Sequence, residues 1–360
     1  MRAATRKWHR YIALYSSWLV ILSSLSGTIL LLKHPIISLM VCSGARFEKT
    51  GDVDYYGKGL DHIHTHWGGE KIKYLKVPNQ EEPYWSLWLE SGERILLDLD
   101  QLKPITKNLA VVDWMDFVFQ LHADLFSGIT GQVVLLVFTL SLLYLFFSGL
   151  FLWWPSRKTL SLNTRKKSPL VKHRNLGVFA FSGLLVVSLT GGVMLTKKVA
   201  RKAFSSPRAI PTQAVSPQLI DTSPILQPSR LLEVAVGQIP LSIPSYVWLP
   251  KPEKKKAKFR LRLDGEWHLN GKTNATVDAR TGTLLELQRS DQVSIYQKLL
   301  NLMWPIHSGR GLPVYYSTIL FLVGIALLRL LYTGLLSWKK RKKGKKINRV
   351  GIVVGKKTTP

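Results

Sequence analysis

The segment ITGQVVLLVFTLSLLYLFFSGLFLWW, residues 129–154, contains no charged side chain. It is longer than the roughly 20 apolar residues that an α-helix needs to cross the hydrocarbon core of a bilayer. Three further stretches approach or exceed that length, at residues 11–32, 176–195 and 314–338. The sequence therefore predicts a membrane α-helical protein with four transmembrane helices.

The first apolar stretch has two interpretations, because basic residues precede it as they would in a secretory signal peptide. Its apolar run is longer than a typical signal-peptide core and no A-x-A cleavage site follows it, so we expect an uncleaved anchor. The single cysteine, Cys42, excludes an intramolecular disulfide framework and a C-x-x-C-H haem attachment site.

Charge predicts the orientation in the membrane. The net charge is +28, yet all 22 acidic residues lie in the two long segments 33–128 and 196–313, while segment 155–175 and the tail 339–360 are basic and contain no acid. The excess of Lys and Arg in cytoplasmic segments indicates a multi-pass protein of the bacterial inner membrane with both termini cytoplasmic. Lys197, Lys198, Arg201 and Lys202 oppose this orientation and are outweighed. The basic tail is explained by orientation and by contact with anionic membrane lipids, so no nucleic-acid partner is predicted.

Two halves of the chain match at fixed offsets. An offset of 164 positions relates His9-Arg10 to His173-Arg174 and Gly27 to Gly191. An offset of 185 positions relates His122 to His307 and Gly149 to Gly334. Both copies cross the membrane in the same order, which indicates parallel repeats related by an axis along the membrane normal.

Each long segment is expected to form an extracytoplasmic α+β domain. Residues 60–78 and 232–250 both resemble a short helix followed by an extended stretch, and strand-like runs follow each of them. Asp278 to Gly282 lies between apolar runs and predicts a hairpin turn.

These patterns give the following predicted organisation. It comprises a cytoplasmic N-terminus with the first transmembrane helix at 1–32, a first periplasmic α+β domain at 33–112, the second transmembrane helix with its periplasmic extension at 113–154, a cytoplasmic basic loop at 155–175, the third helix at 176–196, a Pro/Ser-rich linker at 197–228, a second periplasmic domain at 229–300, the fourth helix with its extension at 301–338, and a cytoplasmic basic tail at 339–360.

Four histidines occupy matching positions at helix ends. His9 and His173 lie at the cytoplasmic ends of helices one and three, and His122 and His307 lie at the outer ends of helices two and four. A pseudo-twofold axis would bring each pair together, and two facing imidazoles are what a six-coordinate, non-covalent haem b requires. The alternative is that they are interfacial residues that cap helix ends.

Neighbouring residues are compatible with haem. Arg10 and Arg174 follow the cytoplasmic pair and could neutralise haem propionates. Small residues, among them Ser26 and Gly27, lower the bulk of helices one and three. They favour either room for a macrocycle or close helix packing, and the sequence leaves both open.

Other histidines give weaker signals. On a strand His62, His64 and His66 would share one face and could chelate a metal, whereas on a helix only His62 and His66 would. The repeat alignment favours a solvated helix, with metal binding left open. His34 and His268 have no partner at either offset, and we expect both at the surface.

At these residues the chain resembles the PepSY-associated transmembrane helix family, which includes iron-regulated inner-membrane proteins and ferrisiderophore reductases. The resemblance is carried by four short motifs and one hairpin, namely Trp8-His9-Arg10, Leu121-His122, His173-Arg174, Ile306-His307 and the PepSY-like Val277–Leu284. It covers nearly the whole chain.

The resemblance implies an oxidoreductase that holds two haem b groups, takes electrons from a cytoplasmic or quinol donor, and reduces ferric iron in a siderophore or other iron chelate. Two alternatives remain. One is a non-enzymatic PepSY membrane protein that binds peptide or regulates a protease. The other is a helper in the uptake of haem or iron chelates.

Overall fold

The computed structural model describes most of the chain, namely residues 1–68, 71–160, 167–204, 224–251 and 255–355. The predicted linker at 197–228 lies largely outside the described residues, as do residues 161–166 of the predicted basic loop. The chain divides into two compact units. Unit 1 comprises Met1–Leu31, Val118–Ala203 and Pro313–Pro360, and unit 2 comprises Leu32–Phe117 and Phe204–Leu312.

The helices and strands follow one another in this order: α1 (Arg2–Tyr15), α2 (Ser17–Leu30), α3 (Lys33–Met40), α4 (Val53–Trp67), β1 (Ile72–Lys76), β2 (Trp85–Leu89), β3 (Arg94–Leu97), α5 (Leu109–Asp124), α6 (Gly128–Trp153), α7 (Pro169–Phe179), α8 (Phe181–Phe204), α9 (Pro228–Gly237), β4 (Ile243–Trp248), β5 (Lys256–Arg262), β6 (Thr273–Asp278), β7 (Leu284–Gln288), α10 (Ile295–Ser308) and α11 (Val314–Gly355).

Several helices of unit 1 are suited to a membrane, as the hydropathy predicted. Gly128–Lys158, Phe181–Phe204 and Val314–Lys342 are each long and apolar enough to cross it, and α1 with α2 forms a fourth candidate that is bent by 60°. The prediction of a multi-pass membrane protein is confirmed at this level. The first predicted helix is broken at Ser16, whose hydroxyl donates to the carbonyl of Ile12 over 2.7 Å.

A second helix break matches the first. Ser16 has φ −86° and ψ −1°, and Ala180, which lies 164 positions later between α7 and α8, has φ −85° and ψ −7°. Ala180 has no hydroxyl, so a serine side chain is not what the two breaks share. Each break separates a short, more polar helix from the apolar one that follows it.

Small residues let the helices of unit 1 approach closely. A Cβ at Gly324 of α11 would lie 2.2 Å from the hydroxyl of Thr28, so only glycine permits this contact with α2. Ser24 reinforces it by donating to the carbonyl of Gly324 over 2.7 Å. The close-packing interpretation of the small residues therefore holds at this crossing.

Unit 2 contains one seven-stranded antiparallel sheet in the order β3-β2-β1-β4-β5-β6-β7. The prediction of two separate α+β domains is wrong, because β1 pairs with β4 through Leu75↔Val247 and Lys76↔Tyr246. Each half alone would leave an unpaired strand edge, and pairing the two edges satisfies the backbone groups on both.

The core of unit 2 lies between the sheet and helices α4 and α9. Tyr56 and Leu60 of α4, Leu231 of α9, and Trp85 and Phe259 of the sheet are all fully or almost fully buried. The predicted hairpin is confirmed between β6 and β7, where Asp278 accepts hydrogen bonds from two turn amides.

Candidate functional site

His9 and His173 meet in unit 1, as the repeat offset predicted. The centres of the two imidazole rings are 6.4 Å apart and the ring planes are nearly perpendicular, at 87°. His9 lies on α1, which packs on α6, and His173 lies on α7, which packs on α6 and α11. Helix packing therefore fixes the separation of the rings.

Hydrogen bonds orient both rings in the same sense. Nδ1 of His173 donates to the carbonyl oxygen of Leu330 over 2.9 Å. Nδ1 of His9 lies 2.8 Å from the hydroxyl of Ser148, and that hydroxyl donates to the carbonyl of Leu145. When His9 carries its hydrogen on Nδ1, it donates to Ser148 while Ser148 donates to Leu145 over 3.2 Å. In that tautomer each neutral ring keeps the lone pair of Nε2 for another ligand.

Matching residues build the two halves of this arrangement. Thr333, at 185 positions from Ser148, donates to the carbonyl of Leu330 as Ser148 does to that of Leu145. Its hydroxyl is 3.4 Å from Nδ1 of His173. A hydroxyl therefore stands beside each imidazole at the same position of the repeat.

Glycine follows each of these hydroxyl residues and makes room for the ring. A Cβ at Gly149 would lie 3.4 Å from Cε1 of His9, and a Cβ at Gly334 would lie 3.3 Å from Cε1 of His173. The first distance lies at the lower limit of ordinary van der Waals contact, and the second is slightly shorter than that limit. The glycines thus set the depth at which each imidazole packs against α6 or α11.

The separation of the His9 and His173 rings is compatible with two imidazoles that hold one haem iron. Two imidazoles that bind one metal ion from opposite sides, each through a bond of about 2 Å, place their ring centres roughly 6 Å apart. The observed 6.4 Å agrees with that separation. Among the described residues no group of three or more His, Cys, Asp or Glu could hold a metal ion. A haem does not need one, because its porphyrin supplies the other four ligands.

The two arginines next to this pair differ. Arg174 donates to the hydroxyl of Ser156 over 2.7 Å, while its Nε is buried without a hydrogen-bond partner among the described residues. Arg10 is exposed, and its guanidinium lies over the ring of Tyr11. Arg174 therefore has buried donor capacity for an anion, and Arg10 has its charge at the surface.

His122 repeats the same orienting device near the end of α5. Its Nδ1 lies 2.9 Å from the hydroxyl of Ser26, which itself donates to the carbonyl of Leu22. A Cβ at Gly27 would lie 3.0 Å from Cε1 of the ring. The small residues of α2 therefore bind and make room for the His122 ring, in addition to their role in helix packing.

His307 lies in the last turn of α10, which ends at Gly309 in the left-handed conformation with φ +73°. It belongs to unit 2, whereas His122 belongs to unit 1. The pairing of these two imidazoles stays a prediction.

The remaining predicted cluster lies on a helix, as the repeat alignment favoured. His62 and His66 are stacked on α4 with their ring centres 3.8 Å apart, and Nδ1 of His66 bonds to the carbonyl of His62. His64 points elsewhere on the same helix, so the three-histidine chelate of a strand does not form.

The expectation that His34 and His268 lie at the surface is wrong. The side chain of His34 is only 13% exposed and its Nδ1 is 3.6 Å from the carboxylate of Glu82. Glu82 also binds the buried Lys76 and lies 3.4 Å from Arg310. His268 is buried and stacks on Trp304 at 4.5 Å. The sequence missed both because their neighbours come from distant parts of the chain.

Sequence reasoning also missed Ser148 and Thr333. A signal was present, because they are related by the same 185-position offset as the glycines that follow them. Extending the repeat alignment by one residue on the N-terminal side would have identified both.

Comparison with known proteins gives one family. The model of the PepSY-associated TM region matches residues 6–341. That match spans both units and includes all four of the predicted histidine ligands. A comparison with curated proteins finds no match.

Proposed function

The chain belongs to the PepSY-associated TM family, and we propose that it is a di-haem electron-transfer protein of the bacterial inner membrane. In this proposal it reduces ferric iron held by a siderophore or another chelate on the periplasmic side. The observation that supports it most is the His9–His173 pair, with ring centres 6.4 Å apart and both Nδ1 atoms engaged.

Each residue around this pair has a definite part. His9 and His173 would hold the haem, and a haem bound there would supply reversible one-electron transfer. In the proposed tautomer Ser148 and the Leu330 carbonyl would accept from the two Nδ1–H groups, which would fix the ring orientation and increase the basicity of Nε2. Arg174 would bind a propionate through its buried guanidinium.

The second haem is proposed from the repeat. His122 and His307 are separated by the 185-position offset that also relates Ser148 to Thr333 and Gly149 to Gly334. The matching helix breaks at Ser16 and Ala180 support the same twofold organisation. Two haems, one near each membrane surface, would divide the electron-transfer distance across a hydrocarbon core about 30 Å thick.

The proposed direction of electron flow follows from charge. The basic segments support a cytoplasmic location for the His9–His173 pair, where a cytoplasmic or quinol donor would be oxidised. The His122–His307 pair would deliver electrons outward. Each ferric ion takes one electron and becomes ferrous, which weakens its hold on hard oxygen chelators.

Anaerobic mixing of the dithionite-reduced full-length protein with a ferric siderophore tests this function. We expect the reduced haem bands to oxidise while one ferrous ion, captured by a chromogenic chelator, appears per electron lost. The gallium(III) complex of the same siderophore is the control, because gallium(III) accepts no electron under these conditions. Reduced bands that persist equally with iron and gallium would contradict the proposal and favour the non-enzymatic, peptide-binding alternative.

A further inference from the structure

Strand β5 places four cations on one face of the sheet in unit 2. Its sequence KAKFRLR alternates, and Ala257, Phe259 and Leu261 point into the core under α4 and α9. Side chains alternate between the two faces of a strand. The basic residues therefore share the face opposite the helices; they are Lys256, Lys258, Arg260 and Arg262.

Aromatic side chains from the neighbouring strands lie beside these cations. The pairing registers are Trp88↔Tyr74 between β2 and β1, and Trp248↔Lys258 and Tyr246↔Arg260 between β4 and β5. Tyr74 stacks on Trp88 at 4.7 Å, and Tyr246 stacks on Trp248 at 6.0 Å. Tyr74 also lies 6.1 Å from Trp248, so the rings form a continuous row.

We call this row with its two central cations the aromatic–cation surface; its members are Tyr74, Trp88, Tyr246, Trp248, Lys258 and Arg260. The guanidinium of Arg260 lies 5.4 Å from the ring of Tyr246 and 5.7 Å from that of Trp248. The ammonium of Lys258 lies 5.8 Å from the ring of Trp248. The four rings are partly exposed and Lys258 is exposed.

The two central cations of this surface stand outside the ion pairs of the described residues, and Glu266 is the acid whose charge acts on Arg260. Within the described part of the chain, neither Lys258 nor Arg260 forms an ion pair, and Nε of Arg260 is buried without a hydrogen-bond partner. By contrast Arg94, which lies over Trp88 at the other end of the row, pairs with Asp116 at 2.9 Å. The β4–β5 end therefore combines cations outside any ion pair among the described residues with partly exposed aromatic rings.

We propose that the aromatic–cation surface binds an anionic iron chelate whose iron-binding groups are aryl rings, that is, a tricatecholate. This inference names the substrate class of the proposed function. It rests on that function for the statement that the bound ferric iron is reduced. Aryl rings stack in offset or edge-to-face contact on exposed Tyr and Trp. Arg and Lys then bind the negatively charged phenolate oxygens through charge-assisted hydrogen bonds. A trihydroxamate offers neither the rings nor the negative charge.

Binding of the gallium(III) complex of a tripodal tricatecholate to the full-length protein in detergent tests this inference. Isothermal titration calorimetry would compare the wild type with Lys258→Gln, Arg260→Gln and Arg260→Lys. We expect each Gln variant to bind roughly tenfold more weakly, because one partly desolvated charge contact is lost. Arg260→Lys keeps the charge and should bind better than Arg260→Gln.

Lys58→Gln is the matched control, since Lys58 is an exposed cation on α4, on the helix-covered side of the sheet. It removes the same charge and should leave the affinity unchanged. The gallium(III) trihydroxamate should bind at least tenfold more weakly than the tricatecholate. Thermal unfolding of each variant checks that the sheet remains folded.

Two results would overturn the inference. One is equal affinity of the tricatecholate for Arg260→Gln, Lys258→Gln and Lys58→Gln. The other is no binding of the tricatecholate while a single-stranded oligonucleotide or anionic lipid binds this face. Gallium binding needs neither haem nor electron transfer, so a failure of the haem proposal and a failure of this inference give separate signatures.

Discussion

Two sets of histidines are removed from solvent in this molecule, and they differ in what holds them. In unit 1, the ring centres of His9 and His173 are 6.4 Å apart, and each Nδ1 forms a hydrogen bond with a hydroxyl or a carbonyl oxygen. In unit 2, His34 is half-buried and His268 is buried, and the Nδ1 of each has no hydrogen-bond partner among the described residues. Burial by itself thus does not distinguish a ligand site from a packed core.

The difference lies in orientation. An imidazole that donates from Nδ1 has its tautomer fixed and presents a lone pair at Nε2, whereas one held only by packing is not oriented for a ligand. Burial instead lowers the pKa of His268 to about 3 and that of His34 well below its usual value. The neighbouring cations Arg310 and Lys76 add to the effect at His34.

The largest expected effect comes from removing one ring of each set. If the proposed function holds, His9→Ala and His173→Ala should each abolish one of two haems, because the site loses one of the two imidazoles that would hold it. His34→Ala and His268→Ala should keep both. The pyridine haemochrome content of the purified variants measures this, and equal haem in all four would break the comparison.

Filling the space beside the rings should have the next largest effect. Gly149→Val or Gly334→Val would force a side chain into contact with Cε1 of His9 or His173, where even a Cβ lies within 3.4 Å. Overpacking of this kind costs about 1–3 kcal/mol, so haem retention should fall roughly ten- to a hundredfold. Haem transfer to apomyoglobin measures retention.

Gly237→Val in α9 is the matched control, because nothing lies within 4 Å of a Cβ at Gly237. The same loss of haem in this variant would mean that valine acts through helix stability and not through the imidazoles.

Acid should affect the buried set through His268. Its folded pKa is about 3 and its unfolded pKa about 6.5, so the unfolded state takes up the proton first. The stability is therefore fully present above pH 6.5 and is lost as the pH falls. Between pH 7 and 5 the loss attributable to this group is about 2 kcal/mol.

Urea unfolding followed by tryptophan fluorescence at the two pH values measures this loss. His268→Phe keeps a ring on Trp304 and cannot titrate. The free energy of unfolding of this variant should therefore fall by about 2 kcal/mol less between pH 7 and 5 than that of the wild type. An identical loss in the wild type and in His268→Phe would contradict the assignment.

The smallest expected effect separates the two halves of the oriented set. Ser148→Ala removes the acceptor of His9 Nδ1, whereas Thr333→Val leaves His173 bonded to the Leu330 carbonyl. Loss of one such hydrogen bond costs about 1 kcal/mol. Ser148→Ala should therefore shift the midpoint potential of the haem proposed at His9 and His173, as measured in a spectroelectrochemical titration. Thr333→Val should shift that potential less. Equal shifts would show that the two hydroxyls act alike.

Much of unit 1 could be predicted from the sequence, because hydropathy and a fixed offset are local or periodic signals. The apolar run 129–154 and the match of His9 to His173 both belong to this class. The break at Ser16 was not predicted, since nothing in the composition of the first apolar stretch marks it.

The rest depended on non-local pairing. The pairing of β1 with β4 joins the two halves of the single sheet. These strands are far apart in sequence, so local patterns do not reveal that they pair. His34 is buried by Glu82 and Arg310, and His268 by Trp304, none of which lies next to them in the chain. Spacing could not reveal either environment.

The haem content of the wild-type protein tests the central claim most directly. The full-length chain would be purified in detergent after expression with added haem precursor, and its spectrum recorded oxidised and dithionite-reduced with a pyridine haemochrome assay. The account predicts low-spin b-type bands and about two haems per chain. A protein that remains colourless would contradict it, whatever the geometry of His9 and His173.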